Sequence, residues 1–216
     1  MVMDFDGTIT AADCLDTVLL RHTAGWAHVL ERIARFEVGR VAALREQILE
    51  LRLPRARVLA EFAAEAQLRP GVGPFLRWIQ QAGGRAAVIS LGFLDGIEAV
   101  WEREDLPPVT LVASGLTTSA RGLAIVVDDA FADCETCGPG ACKATVVQRL
   151  RRSRDLVVAF GDGSADLCMA RQADLTFARG RLATLCERDG LAWRPLTDFI
   201  AARAELEAWL GERRAV

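Results

Sequence analysis

Two aspartates at the end of the first apolar stretch restrict this chain more than any other feature. Residues 2–5 are short, apolar and β-prone, and they read as the end of a buried strand. Gly7 then breaks the strand and the chain turns, within Asp4-Phe5-Asp6-Gly7-Thr8-Ile9-Thr10. Asp4 and Asp6 are two residues apart, so they leave the strand end on the same side. Two like charges at ~4 Å repel by about 4 kcal/mol at an effective dielectric of about 20. A divalent cation, or a proton on one of the two, has to offset that repulsion. A turn whose aspartates only cap backbone donors is the bland alternative, but three later stretches supply the rest of one site.

The remainder of the chain shows two patterns. Residues 11–69 read as helical throughout, with Leu15, Val18 and Leu19, then Val29, Leu30, Ile33 and Phe36, then Ile48, Leu49 and Leu51 at helical spacing. Gly25, Gly39 and Pro54 divide that run into four helices. His22 and His28 fall inside it and read as surface or packing residues, not ligands. The block precedes any second strand, so it is expected to be an inserted cap, residues 12–71, over a core made of 1–11 and 72–216. From a helix at 75–81 onward, strands and helices alternate: strand 85–89, helix 94–104, strand 109–113, a hairpin at 116–127, strand 156–160, a helix from 166 and strand 175–177. This alternation predicts the α/β class, a three-layer α/β/α Rossmann-like parallel sheet with an inserted helical cap domain. Sites in such sheets lie beyond the carboxyl ends of the strands. Asp4, Asp6, Ser90 and Asp162 all fall at such ends.

Their convergence has a chemical meaning. Asp4 and Asp162 offer hard oxygen ligands, which suit Mg²⁺. Asp166, one helical turn beyond Asp162, is placed to orient the metal's surroundings. Ser90 and the N–H groups after it form an anion cradle. Lys143 opens a helix at 144–150 and supplies a cation for a phosphate and a nucleophilic carboxylate. Alone, Ser90 would be an ordinary N-cap and Lys143 a solvated lysine. The ordered set DxDGT, Ser, Lys, GDxxxD is specific because it puts one chemical role at each strand end.

Composition narrows the remaining classes. With 216 residues, 51% of them hydrophobic, the chain can bury one sizeable core. A net charge of −3 carries no electrostatic footprint for nucleic acid. No apolar run is long enough to span a bilayer and no signal peptide is visible. Six Cys without a secretion signal imply reduced thiols and a cytoplasmic location. The first strand has hardly begun at Met1, which leaves room for a few native residues ahead of it. The partner implied is a small phosphorylated metabolite, and a homodimer is compatible with the sequence.

Asp4-Phe5-Asp6-Gly7-Thr8, Ser90, Lys143 and Gly161-Asp162-Gly163-Ser164-Ala165-Asp166 resemble the haloacid dehalogenase-like superfamily in its phosphatase branch. The cap after the first motif resembles the phosphoserine phosphatase subgroup. The resemblance implies a Mg²⁺-dependent phosphohydrolase. Asp4 would be the nucleophile, forming an aspartyl-phosphate. Asp6 would be the general acid and then the base. Asp4, the Asp6 carbonyl and Asp162 would bind the metal, while Ser90 and Lys143 would hold the phosphoryl group. An acid at Asp6 excludes a dehalogenase. A binding or regulatory member that has lost turnover would have lost one of these groups, and Asp4, Asp6, Lys143, Asp162 and Asp166 are all present.

A narrower resemblance rests on residues 4–13 (DFDGTITAAD), the Cys-rich turn from Cys137 to Lys143, Phe177-Ala178-Arg179 and Asp198-Phe199. These are similar to the methionine-salvage phosphatases that act on 2-hydroxy-3-keto-5-methylthiopentenyl-1-phosphate. One departure is Leu91, in Ser90-Leu91-Gly92 where that family has Ser-Gly-Gly. It adds bulk beside the phosphate but keeps its N–H. Phosphoserine is the alternative substrate. Asp13 stands nine positions after the nucleophile, where phosphoserine phosphatases place a Glu for the substrate amine. Gln47 stands where their carboxylate-binding Arg is expected, and Arg45 lies on the opposite face of its helix. Loss of a charge-assisted hydrogen bond there, about 1.5–3 kcal/mol, makes phosphoserine the poorer substrate.

Cys134, Cys137 and Cys142 form a C-x₂-C-x₄-C cluster with zinc-compatible spacing. Asp133 or Glu135 is the nearest candidate for a fourth ligand. Lacking a better one, the cluster reads as three thiols in a tight turn that positions Lys143. Trp193 and Trp209 read as packing residues.

Overall fold

A computed structural model describes residues 1–214; the last two positions of the expected core segment, 215 and 216, lie outside the described residues. The chain runs β1 (Val2–Met3), α1 (Cys14–His22), α2 (Trp26–Ala34), α3 (Arg40–Ile48), α4 (Arg55–Glu65), α5 (Val72–Gln81), β2 (Ala87–Phe93), α6 (Leu94–Arg103), β3 (Thr110–Ser119) and β4 (Gly122–Val126). It continues through β5 (Ala132–Cys134), β6 (Gly138–Cys142), α7 (Lys143–Leu150), β7 (Val158–Gly161), α8 (Leu167–Ala170), β8 (Leu175–Ala178), α9 (Gly180–Arg188), β9 (Trp193–Pro195) and α10 (Phe199–Arg214).

Seven strands form one sheet in the order β4-β3-β2-β1-β7-β8-β9. Every pairing is parallel except β3 with β4. The short β1 is central because β2 and β7 flank it, with Met3 opposite Val88 and Phe160. The period of two along these strands makes three layers. Met3, Val88 and Phe160 join a core with Phe75 of α5 and Phe199 of α10. Val2, Ile89 and Ala159 join another with Val146 and Val147 of α7 and Met169 of α8. Both faces are covered, which is why β2, β7 and β8 are buried at every position. The α/β class read from the sequence is the class observed. Among the described residues no helix is long and apolar enough to cross a membrane.

Of the five helices between β1 and β2, the first four, α1 to α4, precede the core helix α5, and α1 is N-capped by the Asp13 carboxylate, which accepts the Asp16 N–H at 2.7 Å. Their anchor is Phe62 of α4, fully buried between Phe5 (ring centroids 6.0 Å apart) and Phe93 (5.7 Å). Gly96 of α6 makes room for it, since a Cβ there would collide with the Phe62 ring. His22 meets the Glu61 carboxylate at 2.6 Å and His28 is exposed.

Three elements depart from the sequence reading. The strand expected at 85–89 begins at Ala87 and runs on to Phe93. Its register slips between Ile89 and Phe93, so residues 90–92 bulge out of the ladder where a loop was expected. The strand expected at 109–113 extends to Ser119 and itself forms the first arm of the hairpin with β4. A separate ribbon, β5 with β6, carries the Cys-rich turn into Lys143.

Phe62→Ala should lower unfolding free energy by about 3–5 kcal/mol, because it empties the contact that seats α1 to α4 on the sheet. Urea denaturation followed by circular dichroism measures it, and a loss under about 1 kcal/mol, the size of a surface change, would contradict this role for Phe62.

Candidate active site

A cavity of about 160 Å³ opens at the carboxyl ends of β1, β2 and β7. Asp4, Asp6, Asp13, Ser90, Leu91, Lys143, Asp162 and Asp166 all line it, so the fold brings these eight candidate residues to one place. A larger cavity of about 460 Å³ lies at the amino ends of the strands, beside Met1, Arg85 and Leu150, and its charged pair Arg85–Asp155 is already closed on itself.

The first turn is built by backbone constraints. Gly7 has φ +74°, a left-handed conformation, and a Cβ there would sit 2.6 Å from Asp162 Oδ2. The Gly7 N–H donates to Thr10 Oγ1 at 3.0 Å. Its carbonyl accepts from Arg179 Nη1 at 2.9 Å and from Arg69 Nη2 at 3.1 Å. Arg69 also donates to the carbonyls of Thr8 and Ala11. Thr8 Oγ1 donates to Asp162 Oδ1 at 2.9 Å, tying the first motif to the last. Arg69 and Arg179 thus hold the turn from outside. Arg179 was visible only as part of a family-like tail and Arg69 carried no signal, since its partners are main-chain carbonyls.

At the centre Lys143, 2% exposed, donates to Asp4 Oδ1 at 2.5 Å and to Asp166 Oδ1 at 2.7 Å. Asp166 Oδ2 accepts the N–H groups of Asp162 and Gly163, each at 3.0 Å. Gly161 allows this approach, because a Cβ on it would lie 2.7 Å from Asp166. Burial works to lower the Lys143 pKa, but the charges of Asp166 and Asp4 outweigh it and raise it overall, so the ammonium persists at neutral pH. Burial pushes Asp4 well above the usual carboxylate range, with Asp166 adding and Lys143 opposing. Asp162 is raised to about 7 by burial and by the Asp166 charge.

These groups suit a hard divalent cation. Asp4, Asp162 and Asp166 each bring a carboxylate oxygen within 4.8 Å of the others. Both Asp166 oxygens are engaged as described, whereas Asp4 Oδ2 and Asp162 Oδ2 have no hydrogen bond among the described residues. Fully ionised, three carboxylates against one ammonium would be doubly negative, the deficit one divalent cation neutralises; without it, burial and mutual repulsion raise Asp4 and Asp162 towards their protonated forms.

Asp6 lines the same cavity. Its Oδ1 accepts the N–H groups of Cys14 (3.0 Å) and Leu15 (3.4 Å) at the start of α1. Burial raises its pKa to about 6, with Arg40 opposing and Asp16 reinforcing. Gly92 is confined here, since a Cβ would come 2.5 Å from Asp6 Oδ2. Ser90 Oγ accepts the Gly92 N–H at 2.9 Å inside the bulge, so that N–H is not free for an anion as the sequence reading had it. The cradle is a strand bulge and not the N-terminus of α6, which starts only at Leu94.

The mouth of the cavity was misread from sequence. Gln47 is buried, donates to Glu50 and does not line the cavity. Arg40 does, because the first residue of α3 faces the site and the middle of that helix faces its own neighbours. Arg40 donates from both terminal nitrogens to Asp16 (2.7 and 3.2 Å) and from Nη2 to Asp13 (3.3 Å), and its guanidinium lies 5.5 Å from the Trp26 ring centroid. Asp13 is therefore already held by Arg40 and by its own N-cap bond.

Gly7→Ala should destabilise the fold by more than about 1 kcal/mol, the left-handed penalty for a non-glycine residue, because the clash with Asp162 adds to it. A shift of the urea midpoint to lower concentration reads this out; an unchanged midpoint would show that the turn relaxes without strain.

The model for haloacid dehalogenase-like hydrolases matches residues 1–171. Among relatives, a 2-hydroxy-3-keto-5-methylthiopentenyl-1-phosphate phosphatase of Microcystis aeruginosa is 26% identical over 204 residues, covering 94% of this chain and 95% of the relative. One of the same name from Bacillus pumilus is 26% identical over 212 residues, covering 94% and 89%. Among solved structures, a phospho-aspartyl intermediate analogue of phosphoserine phosphatase superposes with a TM-score of 0.73 at 18% identity, covering 95% and 96% of the two chains. A substrate-bound phosphoserine phosphatase gives 0.69 at 19%, covering 96% of both. The strand-end carboxylates, the buried lysine and the family match agree: the chain belongs to the haloacid dehalogenase-like hydrolases.

Proposed function

We propose that this protein hydrolyses a small metabolite phosphomonoester through an aspartyl-phosphate on Asp4, with Mg²⁺ as cofactor. The observation that carries the reading is Lys143 held between Asp4 and Asp166 with Asp162 alongside. Lys143 fixes Asp4 Oδ1, which leaves Oδ2 to attack phosphorus as the bond to the leaving oxygen breaks. Asp6, with its pKa near 6, protonates that oxygen and then takes a proton from the water that attacks the aspartyl-phosphate, releasing inorganic phosphate and free Asp4. Ser90, the Leu91 N–H and the Lys143 ammonium receive the phosphoryl oxygens. Asp4, the Asp6 carbonyl and Asp162 would hold Mg²⁺, whose charge lets an anionic nucleophile approach an anionic phosphate. Asp166 keeps Lys143 and the Asp162 backbone in position.

For the substrate, the features of the cavity mouth favour 2-hydroxy-3-keto-5-methylthiopentenyl-1-phosphate, the compound in the relatives' names. A second cavity of about 120 Å³ shares Ile33, Arg40, Ser164 and Ala165 with the first and continues past Phe36 and Val38. An apolar methylthio tail suits that wall. Phe36 is 42% exposed at a φ of +60°, an unusual conformation for a bulky residue and one that holds its ring at the channel. Phosphoserine is the less favoured alternative, because both terminal nitrogens of Arg40 are already bound by Asp13 and Asp16 and its charge is more than matched.

Phosphate release from p-nitrophenyl phosphate should stop with EDTA and return with Mg²⁺. Asp4→Asn should abolish turnover with the fold intact, and Asp6→Asn should lower kcat by about 10²–10⁴-fold. Full activity after exhaustive chelation, or near-normal turnover by Asp4→Asn, would refute the mechanism.

On substrate choice, kcat/KM for the methylthiopentenyl phosphate should exceed that for O-phosphoserine. Ile33→Ser should lower the former by about 10-fold or more and leave hydrolysis of p-nitrophenyl phosphate nearly unchanged. A clear preference for phosphoserine would overturn the methionine-salvage reading without touching the mechanism.

A further inference from the structure

We propose that Cys134, Cys137, Cys142 and Cys168 hold one structural zinc ion as a tetrathiolate. The sequence alone offered three of these thiols and no fourth ligand, and the candidates beside them do not serve. Asp133 Oδ1 accepts the Gly140 N–H at 2.8 Å within the ribbon, and Glu135 is not part of the cluster. The fold supplies the fourth sulfur from a distant segment. Cys168 lies on α8, beyond β7, and its Sγ comes 3.7 Å from that of Cys134. All four sulfurs lie within 4.8 Å of one another.

The geometry fits one particular occupant. Zinc–sulfur bonds of about 2.3 Å in a tetrahedron put neighbouring sulfurs about 3.8 Å apart, which is the Cys134–Cys168 separation within a tenth of an ångström. A disulfide would need the sulfurs in bonding contact, and all six cysteines of the chain are free. Cys137, Cys142 and Cys168 are buried and Cys134 is half-buried, so the site is closed. Four protein ligands leave no open position for a reacting water, so such an ion is structural. The ribbon has the local shape the metal requires: Gly138 directly after Cys137 and Gly140 beyond it have φ of +83° and +63°, turning the chain back so that Cys134, Cys137 and Cys142 converge. Binding would convert four thiols to thiolates, their protons passing to solvent, and leave a complex of net charge two minus.

The placement gives the ion a task. Cys142 immediately precedes Lys143, and Cys168 lies two positions after Asp166. One ion would therefore join, from behind, the two segments whose side chains meet in the Lys143–Asp166 pair. It would also stiffen the wall of the outer cavity, which Cys137 and Gly138 line; a Cβ on Gly39 of the facing loop would sit 3.4 Å from the Cys137 carbonyl. None of this depends on which phosphate the enzyme hydrolyses, nor on Mg²⁺ at the carboxylate site.

The test uses the full chain, purified without a metal-affinity resin and analysed for metals by mass spectrometry. About one zinc per chain is expected, retained through a brief EDTA wash. Titrating the wild-type protein with an organomercurial in the presence of a chromogenic chelator should release that zinc in step with modification of the cluster thiols. Cys168→Ser and Cys134→Ser should each lower bound zinc about tenfold or more and lower the melting temperature, whereas Cys186→Ala, in a separate buried cluster, should keep it. Protein isolated with iron in place of zinc, with disulfides among these residues, or with all four thiols free and taking up no added zinc overturns the proposal. So does zinc retained by both Cys168→Ser and Cys134→Ser. Because the mercurial titration uses the unmutated chain, misfolding of a variant does not blunt the test.

Discussion

The ammonium of Lys143, buried between Asp4 and Asp166, is the interaction on which the site depends. The three residues of this contact come from the end of β1, the first turn of α7 and the segment after β7, and the sheet brings them together by placing β1 beside β7. A buried ion pair of this kind is a poor source of stability, because desolvation opposes the Coulombic gain. Its effect is positional. Lys143 holds one oxygen of Asp4, Asp166 holds Lys143, and the second oxygen of Asp166 holds the backbone beside Asp162. A carboxylate cluster that would repel itself is thereby kept at short range with a charge deficit suited to a cation.

Around that centre the chain uses backbone geometry more than side-chain chemistry. Gly7, Gly92 and Gly161 each stand where a Cβ would strike a carboxylate of the site. The bulge at 90–92 breaks the β2 ladder at the cavity end, which re-aims Ser90 and Leu91 without a long loop. Arg69 and Arg179 clamp the carbonyl of Gly7 from elements far apart in sequence. The nucleophile proposed at Asp4 would have little freedom on such a turn, as in-line attack on a phosphoryl group would require.

The four helices over the site do two separate things. Phe62 joins them to the sheet through an apolar contact continuous with the main core. Asp13, Asp16 and Arg40 form the polar mouth. The named structural neighbours share the fold at under 20% identity, and fold-mates of this kind differ in substrate according to such mouths. Here the mouth closes its own charges, and beside it Ile33, Phe36 and Val38 form an apolar stretch of wall.

Local pattern alone determined the fold class and pointed to the strand-end residues. Short apolar runs ending in Asp, Ser or Gly-Asp, alternating with helical stretches, specify a parallel sheet with carboxylates at its strand ends, because strand period and turn residues are local properties. The residues picked out that way, Asp4, Asp6, Ser90, Lys143, Asp162 and Asp166, do share one cavity, together with Asp13 and Leu91, which only the family resemblance had pointed to. Tertiary structure decided what depends on distant segments or on which turn of a helix faces inward. Arg40, and not Gln47, reaches the cavity, since the start of α3 and not its middle points there. Arg69 could not be read because carbonyl partners leave no side-chain signature. Cys168 joined three cysteines from a segment beyond β7, and only the packing of α8 beside the β5–β6 ribbon brings its sulfur to theirs. Spacing along a chain describes ligands on one turn, and a fourth ligand from another element has no spacing to be found by.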